Sequence, residues 1–217
     1  MLFRILISIL SIQVSFAQIC DTVIKNKIYT SYISYELKMP VQVNYKLYKG
    51  GGDCNRSKFR FKNDTKIKLL NDKSYKSSGY DKGHLVNAED FAFDCKLDEL
   101  TFRYYNCLPQ SPNMNRGIWK VWENQIRLES QTDSLLIMCG GIWQDKVKIN
   151  DFLVPTYCWK VVYSLSEKKV KHVLLFSNIQ KQPECKEKDL VCKQKVSECK
   201  EIELFELEEM LNHKLFK

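Results

Sequence analysis

The spacing of apolar side chains limits what this chain can fold into more than any other feature of its sequence. Alternating or continuous apolar runs predict strands, with a break near Pro40 and a loop at the three glycines 50–52. The predicted strands occupy residues 33–49, 135–143, 154–164 and 172–178. Residues 113–130 instead repeat with a helical period, and residues 206–215 predict a short terminal helix. Several strands with few helices predict an α+β domain.

The first 17 residues have the layout of a secretory signal peptide. Arg4 precedes a run of apolar residues that ends in small side chains at Ala17. The run is shorter than the roughly 20 residues of a membrane span, so we expect cleavage near Ala17 and no stable membrane association. Residues 18–217 are then long enough for one domain with a substantial core, secreted to the extracellular space or the periplasm.

All nine cysteines follow the predicted cleavage point. In an exported protein they are expected to form up to four disulfides, with one thiol left over. Cys185, Cys192 and Cys199 recur every seven residues in the charged C-terminal extension 181–217. No CxxC pair or fourth ligand supports a zinc site there, so we expect disulfides to the body of the domain, for example to Cys20.

The formal net charge of +8 is unevenly distributed. Residues 181–217 contain eight lysines and nine acidic residues, so the positive field belongs to the body of the domain. A basic, exported domain suits polyanionic partners such as nucleic acid, anionic glycans or membrane surfaces. Charge alone is equally compatible with simple solubility.

The predicted helix at 113–130 carries a stripe of polar residues. Asn115, Trp119, Glu123 and Arg127 follow one another at intervals of four. An apolar packing face is predicted on the adjacent and opposite sides, at Ile118, Val121, Trp122, Gln125 and Leu128. Asn113 is expected to cap the start of the helix. Taken alone, the stripe is typical of solvent-exposed surface with a Glu123–Arg127 ion pair.

Several residues have the chemistry that phosphodiester cleavage needs. The reaction requires a nucleophile, neutralisation of charge on the phosphate and stabilisation of the leaving oxygen. A neutral histidine can take a proton from water, a divalent ion held by hard oxygen ligands can bridge phosphate and leaving group, and Lys or Arg can hold phosphates. His84, Lys82, Asn115, Glu123 and Arg127 supply these groups, but composition does not show that they converge.

Two blocks in this order resemble the DNA/RNA non-specific endonuclease family, whose fold belongs to the ββα-metal nucleases. In the first block, GYDKGHLVNAEDF, residues 81–84 match an Asp-Arg-Gly-His motif. In the second, YYNCLPQSPNMNRGIWKVWENQIR, the matching positions are Asn106, Pro109, Gln110, Asn115, Trp119, Glu123 and Arg127. VPTYCWKVV resembles a later family strand, and the similarity covers roughly residues 30–180. It implies a central, mainly antiparallel sheet flanked by helices, here stabilised by disulfides.

The resemblance also implies a role for each matching residue. His84 would be the general base that activates water, and Asn106 would support the site by hydrogen bonding near the histidine. Asn115 would be the single direct protein ligand of a hydrated Mg²⁺, for which Mn²⁺ or Ca²⁺ could substitute. Glu123 would hold waters of the ion's shell, and Arg127 would contact phosphate. These roles reverse the interpretation of the helix stripe as ordinary surface.

Two positions depart from the family pattern. Lys82 stands where the family usually has arginine, and lysine lacks the planar, two-pronged grip of a guanidinium on phosphate. An upstream phosphate-binding arginine of the family corresponds to Arg56 or Arg60, and the sequence does not choose between them. The other histidines and the polar residues after His84 are expected to be structural: Asn87, Glu89, Asp90, His172 and His213.

The sequence therefore predicts a secreted, Mg²⁺-dependent endonuclease that cuts DNA, and by the resemblance RNA, through contacts with backbone phosphates. One alternative is a nucleic-acid-binding protein on the same fold without significant catalysis. Another is a phosphodiesterase that acts on small nucleotides, which would need a closed pocket. The oligomeric state does not follow from the sequence.

Overall fold

An antiparallel sheet of seven strands forms the centre of the computed structural model, which describes residues 20–180 and 199–216. The strands are β1 (Thr22–Lys25), β2 (Tyr29–Ser34), β3 (Met39–Leu47), β4 (Asp81–His84), β5 (Cys107–Gln110), β6 (Leu135–Ile142), β7 (Lys148–Ile149), β8 (Phe152–Leu153), β9 (Tyr157–Ser164), β10 (Lys169–Ser177) and β11 (Cys199–Glu201). In the central sheet their order is β1-β2-β3-β6-β9-β10-β11, while β4 pairs with β5 and β7 with β8. The α+β fold with a central antiparallel sheet is confirmed.

Within residues 20–180 and 199–216, the short α-helices are α1 (Asp72–Tyr75), α2 (Cys95–Thr101), α3 (Pro112–Met114), α4 (Lys120–Glu129) and α5 (Leu204–Leu211). A π-helical segment, Asn115–Trp119, joins α3 to α4 and contains non-helical backbone at Gly117. Two 3₁₀ turns, Ala88–Phe91 and Tyr104–Asn106, follow β4 and precede β5. Strands β4 and β5 and the helical run that follows them therefore form a strand–strand–helix unit.

The predicted strands are confirmed because their inward residues alternate or run continuously into the core. The break predicted near Pro40 lies at residues 35–38, where a turn joins β2 to β3. Pro40 itself lies in β3 opposite Ile33, next to a shift in the pairing register. A proline donates no ladder hydrogen bond, so an irregularity at this position is expected.

The sheet buries both of its faces. On one face, α5 packs Leu207 and Leu211 against Trp159 and Val161 of β9. On the other face, the larger core cluster joins strand residues to Leu85 and Leu108 of the β4–β5 region and to Ile126 of α4. The strand–strand–helix unit thus rests on a fully covered sheet, which gives its side chains a rigid base.

The packing face predicted for the long helix is confirmed at Ile118 and Trp122, which pack against the core, and wrong at Val121, Gln125 and Leu128, which are exposed. Val121 and Leu128 are 59% and 68% exposed, whereas Trp119 and Ile126 are each 1% exposed. The helix therefore turns the side that carries Trp119, Glu123 and Arg127 toward the protein. Its amphipathic pattern misleads because charged residues with partners inside the protein occupy the inward side.

The helix start also differs from the expectation. Pro112 begins α3, Ser111 stands at the capping position, and Asn113 is an exposed residue within the first turn. Proline is favoured at a first helical position because its missing N–H has no helical partner there.

The disulfide content is lower than predicted among the described residues. Cys54 and Cys95 form one disulfide, and the thiols of Cys20 and Cys199 are free. Three more free thiols are buried, at Cys107, Cys139 and Cys158. They serve as small apolar core residues, which is a common role of unpaired cysteine. Cys185 and Cys192 lie outside the described residues.

The predicted signal peptide, residues 1–17, and most of the extension 181–217 also lie outside the described residues. Among the helices of residues 20–180 and 199–216, none is long and apolar enough to cross a membrane.

Candidate active site

His84 is the last residue of β4 and lies between aromatic rings. Its imidazole centroid is 4.7 Å from that of Phe61 and 4.8 Å from that of Phe102. Its Nε2 atom is shielded from solvent and has no hydrogen-bond partner among the described residues. Burial, together with the positive charges of Arg56 and Lys82, lowers the pKa of His84 to about 3. The imidazole is therefore neutral at physiological pH.

Asn106 fixes the backbone that follows His84. This fully buried amide donates from Nδ2 to the carbonyls of Val86 and Thr101, at 3.0 and 2.9 Å. Its Oδ1 accepts from the backbone N–H of Val86 at 2.8 Å, and its carbonyl accepts from the N–H of Leu85 at 3.0 Å. Three of these hydrogen bonds join Asn106, just before β5, to Leu85 and Val86, just after β4, which restricts the position of His84.

Lys82 lies two residues before His84 in the same strand, so both side chains leave the same face of β4. Its Nζ donates to Asp72 Oδ1 at 2.6 Å and lies 5.2 Å from the centroid of the Phe61 ring. The side chain is one-third exposed, so its charge remains accessible from solvent. The side chains of Lys82 and His84 therefore both lie against the Phe61 ring.

The structure separates the two candidate upstream arginines. Arg56 pairs with Glu89 and lies 3.8 Å from Asp98, measured from Nε to Oδ2, and its charge acts on His84. Arg60 instead donates from Nη1 to the carbonyls of Ser57 and Phe59 within its own exposed loop. Arg56 is thus the arginine beside His84.

Asn115 begins the π-helical segment and is held by the first residue of β4. Its Nδ2 donates to Asp81 Oδ2 at 2.9 Å, which turns Oδ1 to the other side of the amide. Arg116 binds the same carboxylate through Nε and Nη2, at 2.8 and 2.6 Å. Asp81 and His84 are the two ends of one four-residue strand, about 10 Å apart along the backbone. Strand β4 therefore connects the histidine with the asparagine.

Glu123 lies one turn after Trp119, whose Nε1 donates to Glu123 Oε1 at 2.8 Å. Burial raises the pKa of Glu123 to about 7, against the opposing effect of the Lys160 charge. Lys160 itself is fully buried, and its Nζ lies 4.3 Å from the centroid of the Trp119 ring. Among the described residues this Nζ has no hydrogen-bond partner.

Arg127 is bound inside the protein. Its Nε donates to Asp90 Oδ1 at 3.0 Å and its Nη1 to Asn124 Oδ1 at 2.9 Å. Asp90, only 2% exposed, also accepts from the Tyr45 hydroxyl at 3.0 Å. The Glu123–Arg127 ion pair of the surface interpretation is therefore not formed, and Arg127 pairs with Asp90. The structural role expected for Asp90 agrees with these contacts.

The predicted site residues thus fall into two groups. Lys82 and His84 lie against Phe61, with the charge of Arg56 acting on His84. Glu123 and Arg127 instead bind buried side chains on the inward side of α4. Asn115, through Asp81, lies between the groups. Sequence reasoning missed Phe61, Phe102 and Lys160. Lys160 carried one signal, a charged residue at a position of β9 where its neighbours are apolar.

The remaining histidines lie elsewhere. The two ring nitrogens of His172 meet Glu201 and Glu129, at 2.9 and 3.0 Å, and so connect β10, β11 and the end of α4. His213 Nδ1 lies 3.2 Å from the carbonyl oxygen of Leu211, just after α5. Both are structural, as expected.

The donor set suits a hard cation held mostly by water. Among the described residues, no group of three or more His, Cys, Asp or Glu side chains could hold a metal ion. This excludes a zinc-type cluster in that part of the chain, but Mg²⁺ typically keeps several waters and takes few protein ligands. Asn115 Oδ1, directed away from Asp81, and the Glu123 carboxylate are oxygen donors of this kind. The residues therefore fit a hydrated magnesium ion.

Comparison with known proteins decides the family. The family model described as DNA/RNA non-specific endonuclease matches residues 10–213. The chain belongs to the DNA/RNA non-specific endonuclease family. The match extends beyond the 30–180 core that the two sequence blocks suggested and reaches into the C-terminal extension.

Curated relatives share part of this family domain. Mitochondrial endonuclease G of Bos taurus is 31% identical over 51% of this chain and 43% of the relative. A nuclease of Nostoc sp. is 35% identical over 42% of this chain and 34% of the relative. Nuclease 1, mitochondrial, of Schizosaccharomyces pombe is 33% identical over 41% and 32%. The chain spans less than half the length of each of these relatives.

A solved structure has the same fold. It is described as "Crystal structure of the EndoG/EndoGI complex: Mechanism of EndoG inhibition" and matches with a TM-score of 0.68 at 21% identity. The match covers 88% of this chain and 83% of that chain. At 21% identity, this likeness shows that the two chains share a fold.

Proposed function

We propose that this protein is a secreted, Mg²⁺-dependent endonuclease that hydrolyses phosphodiester bonds of DNA and RNA with little sequence preference. The observation that carries the proposal is the environment of His84, a neutral imidazole next to two cations at the end of β4. The same strand holds, through Asp81, the asparagine that fits a metal. Family membership supports the same reaction.

His84 is the general base of the proposed reaction. A base must be unprotonated before it can accept the proton of an attacking water, and the low pKa of His84 keeps it so far below neutral pH. Because Nε2 is closed off from solvent, Nδ1 is the nitrogen that meets the water. Asn106 acts on this step indirectly, since it fixes the backbone on which the imidazole is carried.

The cations beside His84 bind phosphate. Lys82 and Arg56 offer positive charge next to the base, where the phosphate of the substrate gains charge during attack. Arg127 contributes a further positive charge for phosphate binding, and its Nε is held by Asp90. Contacts of this kind recognise the backbone and carry no base sequence, which accounts for the proposed lack of sequence preference.

Asn115 and Glu123 would hold the magnesium ion, Asn115 directly through Oδ1 and Glu123 through water. When bound, Mg²⁺ supplies a positive charge that stabilises the leaving oxygen and the phosphate. Trp119 orients the Glu123 carboxylate, and Asp81 orients the Asn115 amide. Both ligands are therefore positioned by other side chains of the protein.

Secretion is proposed from the layout of residues 1–17 together with the Cys54–Cys95 disulfide, because disulfides persist in oxidising compartments. Two of the relatives named above are mitochondrial proteins, so location has to be measured directly. N-terminal sequencing of exported protein should begin at about residue 18 if the leader is cleaved near Ala17. Retention of residues 1–17 in the mature protein would contradict secretion by this route.

A plasmid-nicking assay tests the proposed reaction. Purified wild-type protein should nick supercoiled DNA with Mg²⁺ and stop when EDTA is added. His84→Leu should lower the rate by about 10²–10⁴, the usual contribution of a general base. His213→Leu is the matched control: among the described residues the hydrogen bond of its imidazole goes to the nearby Leu211 carbonyl, after α5, and this variant should retain the wild-type rate.

Three outcomes would contradict the proposal. These are no nicking by the wild type, nicking that is indifferent to EDTA, and full activity of His84→Leu. A wild-type protein that binds DNA tightly but never cleaves it would identify the chain as a binding protein on the nuclease fold. Cleavage of small phosphodiesters without nicking would identify a nucleotide phosphodiesterase.

A further inference from the structure

A groove of about 480 Å³ adjoins Lys82. Its walls come from α1, from residues 76–80 that lead into β4, and from the start of β4 itself. A volume of this size is within the range of sites for small ligands. Two residues of the proposed site line it, Lys82 and Asp81, and Asp81 is the residue that orients Asn115.

The acidic groups of the groove are already compensated. Asp72 accepts hydrogen bonds from Lys82 Nζ at 2.6 Å and from the Tyr104 hydroxyl at 2.7 Å. Both bonds favour its charged form, so they lower the pKa of Asp72. Asp81 is bound by both Arg116 nitrogens and by Asn115. Each carboxylate therefore has a cation of its own.

The other lysines of the groove have no such partner. Lys73 and Lys76 are exposed, and neither forms an ion pair with any residue in the ranges 20–180 and 199–216. With both carboxylates neutralised, these two ammonium groups set the charge of the groove. Two unpaired cations beside a proposed phosphate contact favour an extended polyanion over a neutral ligand.

The groove is also held in place by several contacts. Asn71 caps α1, with Ser74 returning a bond to the cap. Asn150, from the β7–β8 turn, donates from Nδ2 to the carbonyls of Ser74 and Lys76, at 2.8 and 3.2 Å. The lysines thus project from a fixed backbone, which reduces the ordering cost of binding.

Tyr80 adds an aromatic surface to the groove. It is half-buried, and burial raises the pKa of its phenol, so it remains neutral. Aromatic side chains in grooves lined by cations stack nucleic-acid bases, and each stacked base contributes roughly 1–3 kcal/mol. A groove with two free lysines and one accessible tyrosine has the composition of a single-strand binding surface.

We propose that this groove is a subsite for the polynucleotide strand that flanks the scissile phosphate, in which Lys73 and Lys76 contact successive backbone phosphates and Tyr80 contacts a base. The inference rests on the proposed nuclease function, since the strand that enters the groove is the strand held at Lys82. It adds a site that extends the contact with substrate beyond the reacting phosphate.

The test measures binding separately from cleavage. A 5′-fluorescein-labelled single-stranded DNA 20-mer is titrated with His84→Leu protein at several salt concentrations, and fluorescence anisotropy gives the dissociation constant. Each lysine that neutralises a phosphate of a single strand contributes about 0.7 to the slope of log K against log salt. Combining Lys73→Gln and Lys76→Gln with His84→Leu should therefore reduce the slope by about 1.4 and weaken binding at low salt.

The matched control carries Lys25→Gln and Lys27→Gln, two exposed lysines at the end of β1, on the same background. It removes the same net charge from elsewhere on the surface, so its slope should remain that of the parent. An unchanged slope in the Lys73/Lys76 variant, or an equal decrease in both variants, would overturn the subsite.

Tyr80→Ala gives an independent reading of the same groove. It should weaken binding of the 20-mer by roughly 5-fold to 100-fold, the equivalent of one stacked base, with the salt slope unchanged. If Tyr80→Ala reduced the salt dependence of binding but left the affinity unchanged, Tyr80 would not be the residue that contacts a base. Failure of the nuclease proposal would appear differently, as absence of nicking by wild-type protein whatever the groove variants do.

Discussion

Strand β4 and helix α4 both carry residues of the family pattern, but they hold them in different ways. On β4, Lys82 is one-third exposed and His84 has a shielded nitrogen without a partner. On α4, Glu123 accepts from Trp119, and Arg127 is bound to a carboxylate that is 2% exposed. On the strand, Lys82 is open to solvent and His84 has a nitrogen that no protein group occupies, whereas Glu123 and Arg127 on the helix are bound to other side chains of the protein.

This difference predicts which substitutions lower activity alone and which also lower the stability of the fold. A residue whose contacts lie mostly with substrate can be replaced at little cost to the fold, whereas removal of one partner of a buried ion pair leaves an uncompensated charge. Substitutions on β4 should therefore lower activity alone, and substitutions on α4 should lower activity and stability together. The three predictions below test this contrast.

Arg127→Gln should have the largest effect on stability. It leaves Asp90 buried with only the Tyr45 hydroxyl, so the free energy of unfolding at pH 7 should fall by roughly 3–5 kcal/mol. Burial already raises the pKa of Asp90 to about 6. At pH 5 the Asp90 carboxyl is protonated and carries no charge. The unfolding free energy that Arg127→Gln loses should therefore be smaller at pH 5 than at pH 7. Urea unfolding at the two pH values measures both quantities.

Arg116→Gln is the matched control for that variant. Its ion pair with Asp81 is bidentate, whereas Arg127 reaches Asp90 through Nε alone, but the Arg116 side chain is 71% exposed. Surface pairs contribute about 0–1 kcal/mol, so its unfolding midpoint should stay close to that of the wild type. Equal losses in the two variants would show that burial of Arg127 does not determine its contribution.

Relative to the wild type, His84→Leu should gain stability as the pH falls. The pKa of His84 is about 3 in the folded protein, against 6.5 for an ordinary histidine, so the unfolded chain binds more protons between these values. The histidine's contribution to stability is therefore full above pH 6.5 and is lost as the pH falls, at no more than about 1.4 kcal/mol per pH unit.

Leucine has no such dependence and packs well between Phe61 and Phe102. His84→Leu should thus match or exceed the wild type in stability at pH 7, and its advantage should grow toward pH 4. Unfolding free energies from urea titrations at pH 7, 5.5 and 4 check this trend. A constant difference over that range would mean that His84 is not held neutral by its surroundings.

Lys82→Arg should have the smallest effect. A guanidinium can grip phosphate with two donors, so the apparent KM for plasmid DNA should fall, or the rate rise, by a few-fold. Lys82→Gln is the companion variant, which removes the charge and should raise KM. Steady-state kinetics distinguish these cases, and an arginine variant equal to or worse than the wild type would contradict the hypothesis.

Much of the fold could be predicted because the burial of a strand is visible in the apolar pattern of its own residues. The run Leu135–Ile142 is buried on both sides, and its continuous apolar sequence shows it. The helix could not be oriented in the same way, because Glu123 and Arg127 appear polar in the sequence and are nevertheless turned inward. Asp90, the partner of Arg127, is 37 residues away in the chain, so no local pattern indicates that pairing.

The candidate site was predicted as a set of residues but not as an arrangement. Motif spacing found His84 and Asn115, yet only the structure shows that Asp81 connects them. The choice of Arg56 over Arg60 likewise depends on tertiary contacts with Glu89 and Asp98. Disulfide pairing was beyond the sequence for the same reason, since three cysteines that could have paired are buried core residues.

The most direct test of this account is a paired measurement of plasmid-nicking rate and unfolding free energy at pH 7 for His84→Leu and Arg127→Gln. His84→Leu should lose about 10²–10⁴ in rate at undiminished stability, and Arg127→Gln should lose both rate and roughly 3–5 kcal/mol of unfolding free energy. A His84→Leu protein that is active, or an Arg127→Gln protein as stable as the wild type, would contradict it.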